Sequence, residues 1–150
     1  VSIESYNLVM KVMALSCGRK GGSVGRALCQ EVVDMLSEMS EKGISPDRNS
    51  YECVIESWAR CSRDGDPYCA EKANEWLMTM ERLHETNEGE EDFSPSTRVY
   101  NLVIDAYNRS GRKGTGVKAA AVLSRVPDPN DGSYITAILA LSRTASERNV

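Results

Sequence analysis

An apolar residue recurs at i, i+3, i+4 and i+7 in six separate places along this chain, and that spacing is one stripe of an α-helix. Three copies begin at a tyrosine: Tyr6, Val9, Met10, Met13; Tyr51, Val54, Ile55, Trp58; and Tyr100, Val103, Ile104, Tyr107. Three others lie between and after them: Val32, Met35, Leu36, Met39; Ala73, Trp76, Leu77, Met80; and Ala119, Val122, Leu123, Val126. The two kinds alternate, so the chain reads as helix pairs, each an A helix opening on Tyr and a B helix carrying the second stripe. A fourth, fainter opening is Tyr134-Ile135-Thr136-Ala137-Ile138.

The punctuation agrees with the periodicity. Gly43 follows Glu41-Lys42 as a helix stop, with Pro46 close behind. Pro95 precedes the third unit, and Pro127 with Pro129 precedes the fourth. Proline disfavours helical geometry in the residue before it, so each B helix ends ahead of its proline. Asp47, Asn49 or Ser50 is suited to cap the second A helix, and Ser96 or Thr97 the third. The first unit places a Gly-rich turn over Gly18 to Gly25, and the third a similar one over Gly111 to Gly116. No helix of this kind buries its stripe alone. Packing A on B, and then unit on unit, gives a continuous core. The chain divides into units at about 3–47, 48–96 and 97–130, with a partial unit at 131–150. The first residue is Val1, and the chain reads as part of a longer one.

Charge and cysteine usage narrow the chemistry. The net charge is -4. Glu81 to Asp92 holds six acidic residues against Arg82, so this stretch sets the sign. From Thr97 onward eight Arg and Lys face four Asp and Glu, and the last third is mildly basic. The five cysteines form no Cys-x-x-Cys pair, which argues against a disulfide framework or a zinc site and fits a reducing compartment. Neither Gly-rich segment fits a dinucleotide or phosphate-loop pattern. His84 is the single histidine, and it lies beside the acidic stretch, a poor place for a preorganised triad. No catalytic residue, metal or cofactor is expected. No apolar run approaches the ~18 residues of a membrane span.

The Tyr-Asn openings at Tyr6-Asn7 and Tyr100-Asn101, the Ala-x-x-x-Leu-x-x-Met style of the B helices, and Gly43-Ile44-Ser45-Pro46-Asp47 running into Ser50-Tyr51 resemble the pentatricopeptide repeat family. The resemblance spans roughly residues 3–143. The tetratricopeptide family is the competitor, but its Trp-led opening is missing. Tyr-to-Tyr distances of 45, 49 and 34 residues depart from a family repeat of about 35, and loops tolerate such excess because closure entropy grows slowly with length.

The resemblance implies an all-α, right-handed α–α solenoid, a superhelix of TPR/PPR-like helix-turn-helix repeats. It implies a module that binds single-stranded RNA in a sequence-dependent way, in RNA processing, stability or translation in a mitochondrion or plastid. The base-reading positions it implies are the residue after each leading Tyr and the last residue before the next A helix. Here these are Asn7 with Asp47, Glu52 with Ser96, and Asn101 with Asn130. Ile135 occupies the fourth such position. By the same resemblance Asn7 with Asp47 favours uracil and Asn101 with Asn130 favours cytosine. Arg98, two residues before Tyr100, is a candidate to stack on a base through its guanidinium plane. Arg19, Lys20, Arg112 and Lys113 are candidates for phosphate. The alternative is a helical scaffold for a protein partner, favoured by the net acidity and by Glu52.

Overall fold

The computed structural model describes residues 1–63, 65–87 and 92–146. Among them are seven helices and no strand: α1 (Ile3–Lys20), α2 (Gly22–Glu41), α3 (Arg48–Cys61), α4 (Tyr68–Thr86), α5 (Thr97–Ser110), α6 (Thr115–Arg125) and α7 (Asp131–Ser146). The chain is therefore all-α. Glu88, Glu90 and Glu91 of the acidic stretch, and residues 147–150 of the partial fourth unit, lie outside the described residues. None of the helices is long and apolar enough to cross a membrane.

The helices start and stop for local reasons. Asp47 caps α3 by accepting from the Ser50 amide, while the Ser50 hydroxyl accepts from the Asp47 amide, a capping box that satisfies two end donors at once. Ser96 caps α5 by accepting from the Val99 amide. α2 ends at Glu41, and Gly43 follows at φ 73°. α4 and α6 likewise stop ahead of Pro95 and Pro127. The turn expected over Gly18 to Gly25 is not a loop. α1 runs through Lys20 and α2 opens at Gly22. Gly21 and Gly22 make the corner at φ 61° and 53°, left-handed values that disfavour any residue with a Cβ. The extra length of this unit is thus stored in helix, whose backbone satisfies its own hydrogen bonds.

Packing repeats along the chain. Each Tyr-led helix touches the next (α1 with α3, α3 with α5, α5 with α7), and each intervening helix sits against the two that flank it in sequence. The core runs through all of them and includes Met10, Val32, Met39, Val54, Ile55, Leu77, Met80, Val103, Ile104 and Tyr107. Each large side chain so buried contributes about 1.5–3 kcal/mol. Buried tyrosines keep their hydroxyls bonded, Tyr6 to Glu38 at 2.9 Å and Tyr107 to Glu71 at 2.9 Å.

The two end helices differ from the middle ones. The predicted stripe on α1 included Val9, yet α1 buries Tyr6, Met10, Ala14 and Cys17, and Val9 is 49% exposed. Val54 and Val103, at the same register, are fully buried. α3 and α5 each have a Tyr-led helix before them to cover that position; α1 has none among the described residues. Conversely, Ile138 of α7 is 62% exposed, whereas Met10, Ile55 and Ile104 at its register are buried. Each of those three has a following even-numbered helix packed on it, and α7 has none among the described residues.

Candidate functional site

The residue after each leading Tyr and the residue that precedes the next Tyr-led helix meet in space at all three junctions. Asn7 Nδ2 donates to Asp47 Oδ1 at 3.1 Å, and the Ser50 hydroxyl donates to Asn7 Oδ1 at 2.7 Å. The third junction is built the same way. Asn101 Nδ2 donates to Asn130 Oδ1 at 3.2 Å, Ser133 Oγ donates to Asn101 Oδ1 at 2.5 Å, and the Ser133 amide donates to Asn130 Oδ1 at 3.0 Å. Ser50 and Ser133 are fully buried and each stands immediately before its Tyr. The capping residue of one helix is thereby tied to the amide side chain of the helix before it.

An asparagine side chain has two N–H donors and two acceptor lone pairs. Each of these nodes uses one of each on Asn7 or Asn101. One donor and one acceptor on each of these two asparagines are left for a ligand edge. Gly132 widens the third node, since a Cβ there would come within 3.2 Å of Asn130 Oδ1.

The middle junction is different. Val99 stands where the other two have serine, so there is no hydroxyl to close the node. Glu52 Oε1 instead accepts from the Ser96 backbone amide at 3.1 Å and lies 3.5 Å from Arg48 Nε. Glu52 and Ser96 are brought together, but with an acceptor-only side chain.

These junctions line one continuous face of the odd-numbered helices. A cavity of about 550 Å³ includes Asn7, Lys11, Asp47, Glu52, Glu56 and Arg98. A second includes Asn101, Asn130, Asp105 and again Arg98. A third lies against Leu102 and Asp105 and holds Arg19, Arg60, Arg63 and Arg109.

At the floor of the first cavity is a charge that the sequence does not advertise. Glu56 is 1% exposed, yet it accepts from Lys11 at 2.6 Å, Arg60 at 2.8 Å and Arg98 at 2.8 Å. Burial alone would raise its pKa. The hydrogen bonds from Arg98, Lys11 and Arg60 outweigh it and hold the carboxyl at about 2. Arg98, expected to stack on a base, is thus engaged with Glu56 while its side chain stays about half exposed.

The other predicted cations are dispersed. Arg19 is exposed at the end of α1 and lines the arginine cavity. Lys20, beside it, does not line any of the three cavities. Arg112 and Lys113 sit in the turn between α5 and α6, and Arg112 donates to the Gly65 carbonyl. Sequence reading missed Lys11, Glu56, Arg60, Arg63 and Arg109. Register carries a signal for some of them. The fifth position after each Tyr is Lys11, Glu56, Asp105 and Leu139, and the ninth is Leu15, Arg60, Arg109 and Arg143. Charges at fixed places on otherwise apolar helices mark a shared surface.

All five cysteines are buried and none is in a disulfide, and among the described residues no group of three or more His, Cys, Asp or Glu is arranged to hold a metal ion. Comparison of the chain with protein-family models, with curated proteins and with solved structures yields no match.

Proposed function

We propose that this chain is a single-stranded RNA-binding module with degenerate repeats of the pentatricopeptide kind, a right-handed α–α solenoid that reads bases and carries out no reaction itself. Its setting on this reading is RNA processing, stability or translation in a mitochondrion or plastid. The observation that carries the proposal is the twice-built node, Asn7–Asp47–Ser50 and Asn101–Asn130–Ser133, which leaves a donor and an acceptor at equivalent places on one face. A base edge needs such a pair of complementary groups, and a good contact of this kind is worth about 1–3 kcal/mol. Two such nodes give modest affinity, so the module acts with further contacts to the RNA backbone.

The test is binding of the protein to a randomised single-stranded RNA library across salt. Asn101→Ala is expected to flatten the preference at one base position, by about tenfold or more, and to leave the preference set by Asn7 in place. Equal selection profiles for the wild type and the variant would overturn base reading. A second reading, a scaffold for a protein partner, is favoured by the apolar side chains Ile135, Ile138 and Leu139 exposed on α7. On that reading the library shows no base preference and affinity capture retains a stable protein partner.

A further inference from the structure

We propose that the uncovered face of α1 pairs with the same face of a second copy of this chain, the two helices running antiparallel about a two-fold axis. Glu4, Leu8, Val12, Leu15 and Arg19 follow one another in steps of three and four. At about 3.6 residues per turn they fall within roughly 80° of arc, a narrow stripe along the helix. Leu8, Val12 and Leu15 are 67%, 56% and 41% exposed, and Glu4 and Arg19 stand exposed at the two ends. Three apolar side chains in water, closed off by a carboxylate and a guanidinium, form a seam that lacks its other half. Lys11, at the edge of the stripe, is already paired with Glu56.

The stripe is not shaped for a further helix of the same kind. Within the chain, each Tyr-led helix that follows another carries a small buried residue six places after its Tyr: Ser57, Ala106 and Ala140. α1 has Val12 there. Nine places after the Tyr stand Arg60, Arg109 and Arg143. Arg109 ties α5 to the end of α3 through the carbonyls of Ala59, Arg60 and Ser62, and Arg143 ties α7 to the Asn108 carbonyl of α5. α1 has Leu15 there, which donates nothing. The register that anchors a helix to its predecessor is thus apolar in α1. Turned end for end, the stripe matches itself. Glu4 and Arg19 lie equally far from its centre, as do Leu8 and Leu15. A two-fold axis beside Val12 sets Leu8 on Leu15 of the second copy and closes two Glu4–Arg19 pairs, one at each end. A parallel pairing sets like charges together and is disfavoured. One helix pair buries less than the roughly 1,600 Å² of a standard interface, so the dimer is weak, with a dissociation constant of about 10–100 μM.

Sedimentation equilibrium of the whole chain, from about 2 to 300 μM and without RNA, reads the association directly. The wild type is expected to pass from monomer to dimer over this range. Glu4→Arg and Arg19→Glu each turn both attractive pairs into repulsive ones, and each is expected to raise the dissociation constant by about tenfold or more. An equimolar mixture of these two variants brings opposite charges back together at both ends. It is expected to dimerise at least as well as the wild type, a rescue particular to an antiparallel two-fold contact. Val12→Asp, at the axis, is expected to abolish the dimer, and Val117→Asp, at an exposed apolar residue of α6, to leave it unchanged. All these side chains are exposed, and circular dichroism checks that the helices persist. A wild type that stays monomeric at the highest concentration overturns the pairing. Single charge variants that lose the dimer and are not rescued by mixing overturn the antiparallel arrangement. A dimer that survives Val12→Asp but is lost in Ile138→Asp overturns it as well, because the contact then runs through α7. None of these outcomes bears on base reading.

Discussion

Glu56→Ala is expected to lower the unfolding free energy by about 3 kcal/mol, read as a fall in the urea midpoint followed by circular dichroism. Glu56 is buried, and three cations from three helices converge on it: Lys11 of α1, Arg60 of α3 itself and Arg98 of α5. Removing the carboxylate leaves them facing one another with nothing between. Breaking a buried pair costs about 3–5 kcal/mol in general. The cations here are 36–49% exposed and can turn to water, so the low end applies. A pH dependence accompanies this. The folded pKa of Glu56 lies at about 2, below the ordinary 4.5. A depressed carboxylate stabilises the fold fully above its unfolded value, and that contribution is lost as pH falls through the folded one. Wild-type stability should therefore decline between pH 4.5 and 2 more steeply than that of Glu56→Gln. A Glu56→Ala variant within 1 kcal/mol of the wild type (roughly the noise of the measurement) would show that Glu56 does not join the units.

The second large effect is expected at Gly116. In α6 this residue lies against α7, and a Cβ built there would come within 2.7 Å of the Ala140 carbonyl oxygen, 2.9 Å of Leu141 Cα and 2.5 Å of Thr144 Oγ1. Two of those three atoms are backbone, so relief requires the helices to separate. Alanine elsewhere in a helix gains about 1 kcal/mol over glycine. Here that gain is outweighed, and Gly116→Ala is expected to lose about 1–2 kcal/mol net, with Gly116→Val losing about 3. Urea unfolding, together with faster proteolysis within α7, checks it. A Gly116→Ala protein as stable as the wild type would mean that the α6–α7 contact is looser than this.

The site of Gly116 also shows where the sequence was silent. Counted from the stripes of the B helices, Gly116 corresponds to Ala70 and Cys29, all three small and fully inside. A rule of smallness at one register leaves no periodic trace, because it concerns what is missing from a side chain. The helices themselves were legible, since a 3.6-residue period survives in Val54, Ile55 and Trp58 whatever packs on them. The caps at Asp47 and Ser96 were legible too, because their chemistry is local. The pairing of Asn7 with Asp47 came only through a family resemblance, as forty residues separate them. The burial of Glu56 was not legible, although its place at a charged register was. A lone glutamate in a helix reads as solvated, and the cations that bury it come from Lys11 and Arg98, more than forty residues away on either side. Val9 misled for the opposite reason: its period is right, but no described helix covers it.

The claim on which the functional account turns is that single-stranded RNA lies along the odd-numbered helices, with bases at the two amide nodes. Photocrosslinking of 4-thiouridine-substituted RNA to the protein, mapped by peptide mass spectrometry, tests it most directly. The account predicts adducts on peptides of α1 and α5 that contain Asn7, Leu8, Asn101 or Leu102, competed by unlabelled RNA. Adducts confined to α2, α4 and α6, or none above the level of a denatured control, would contradict it.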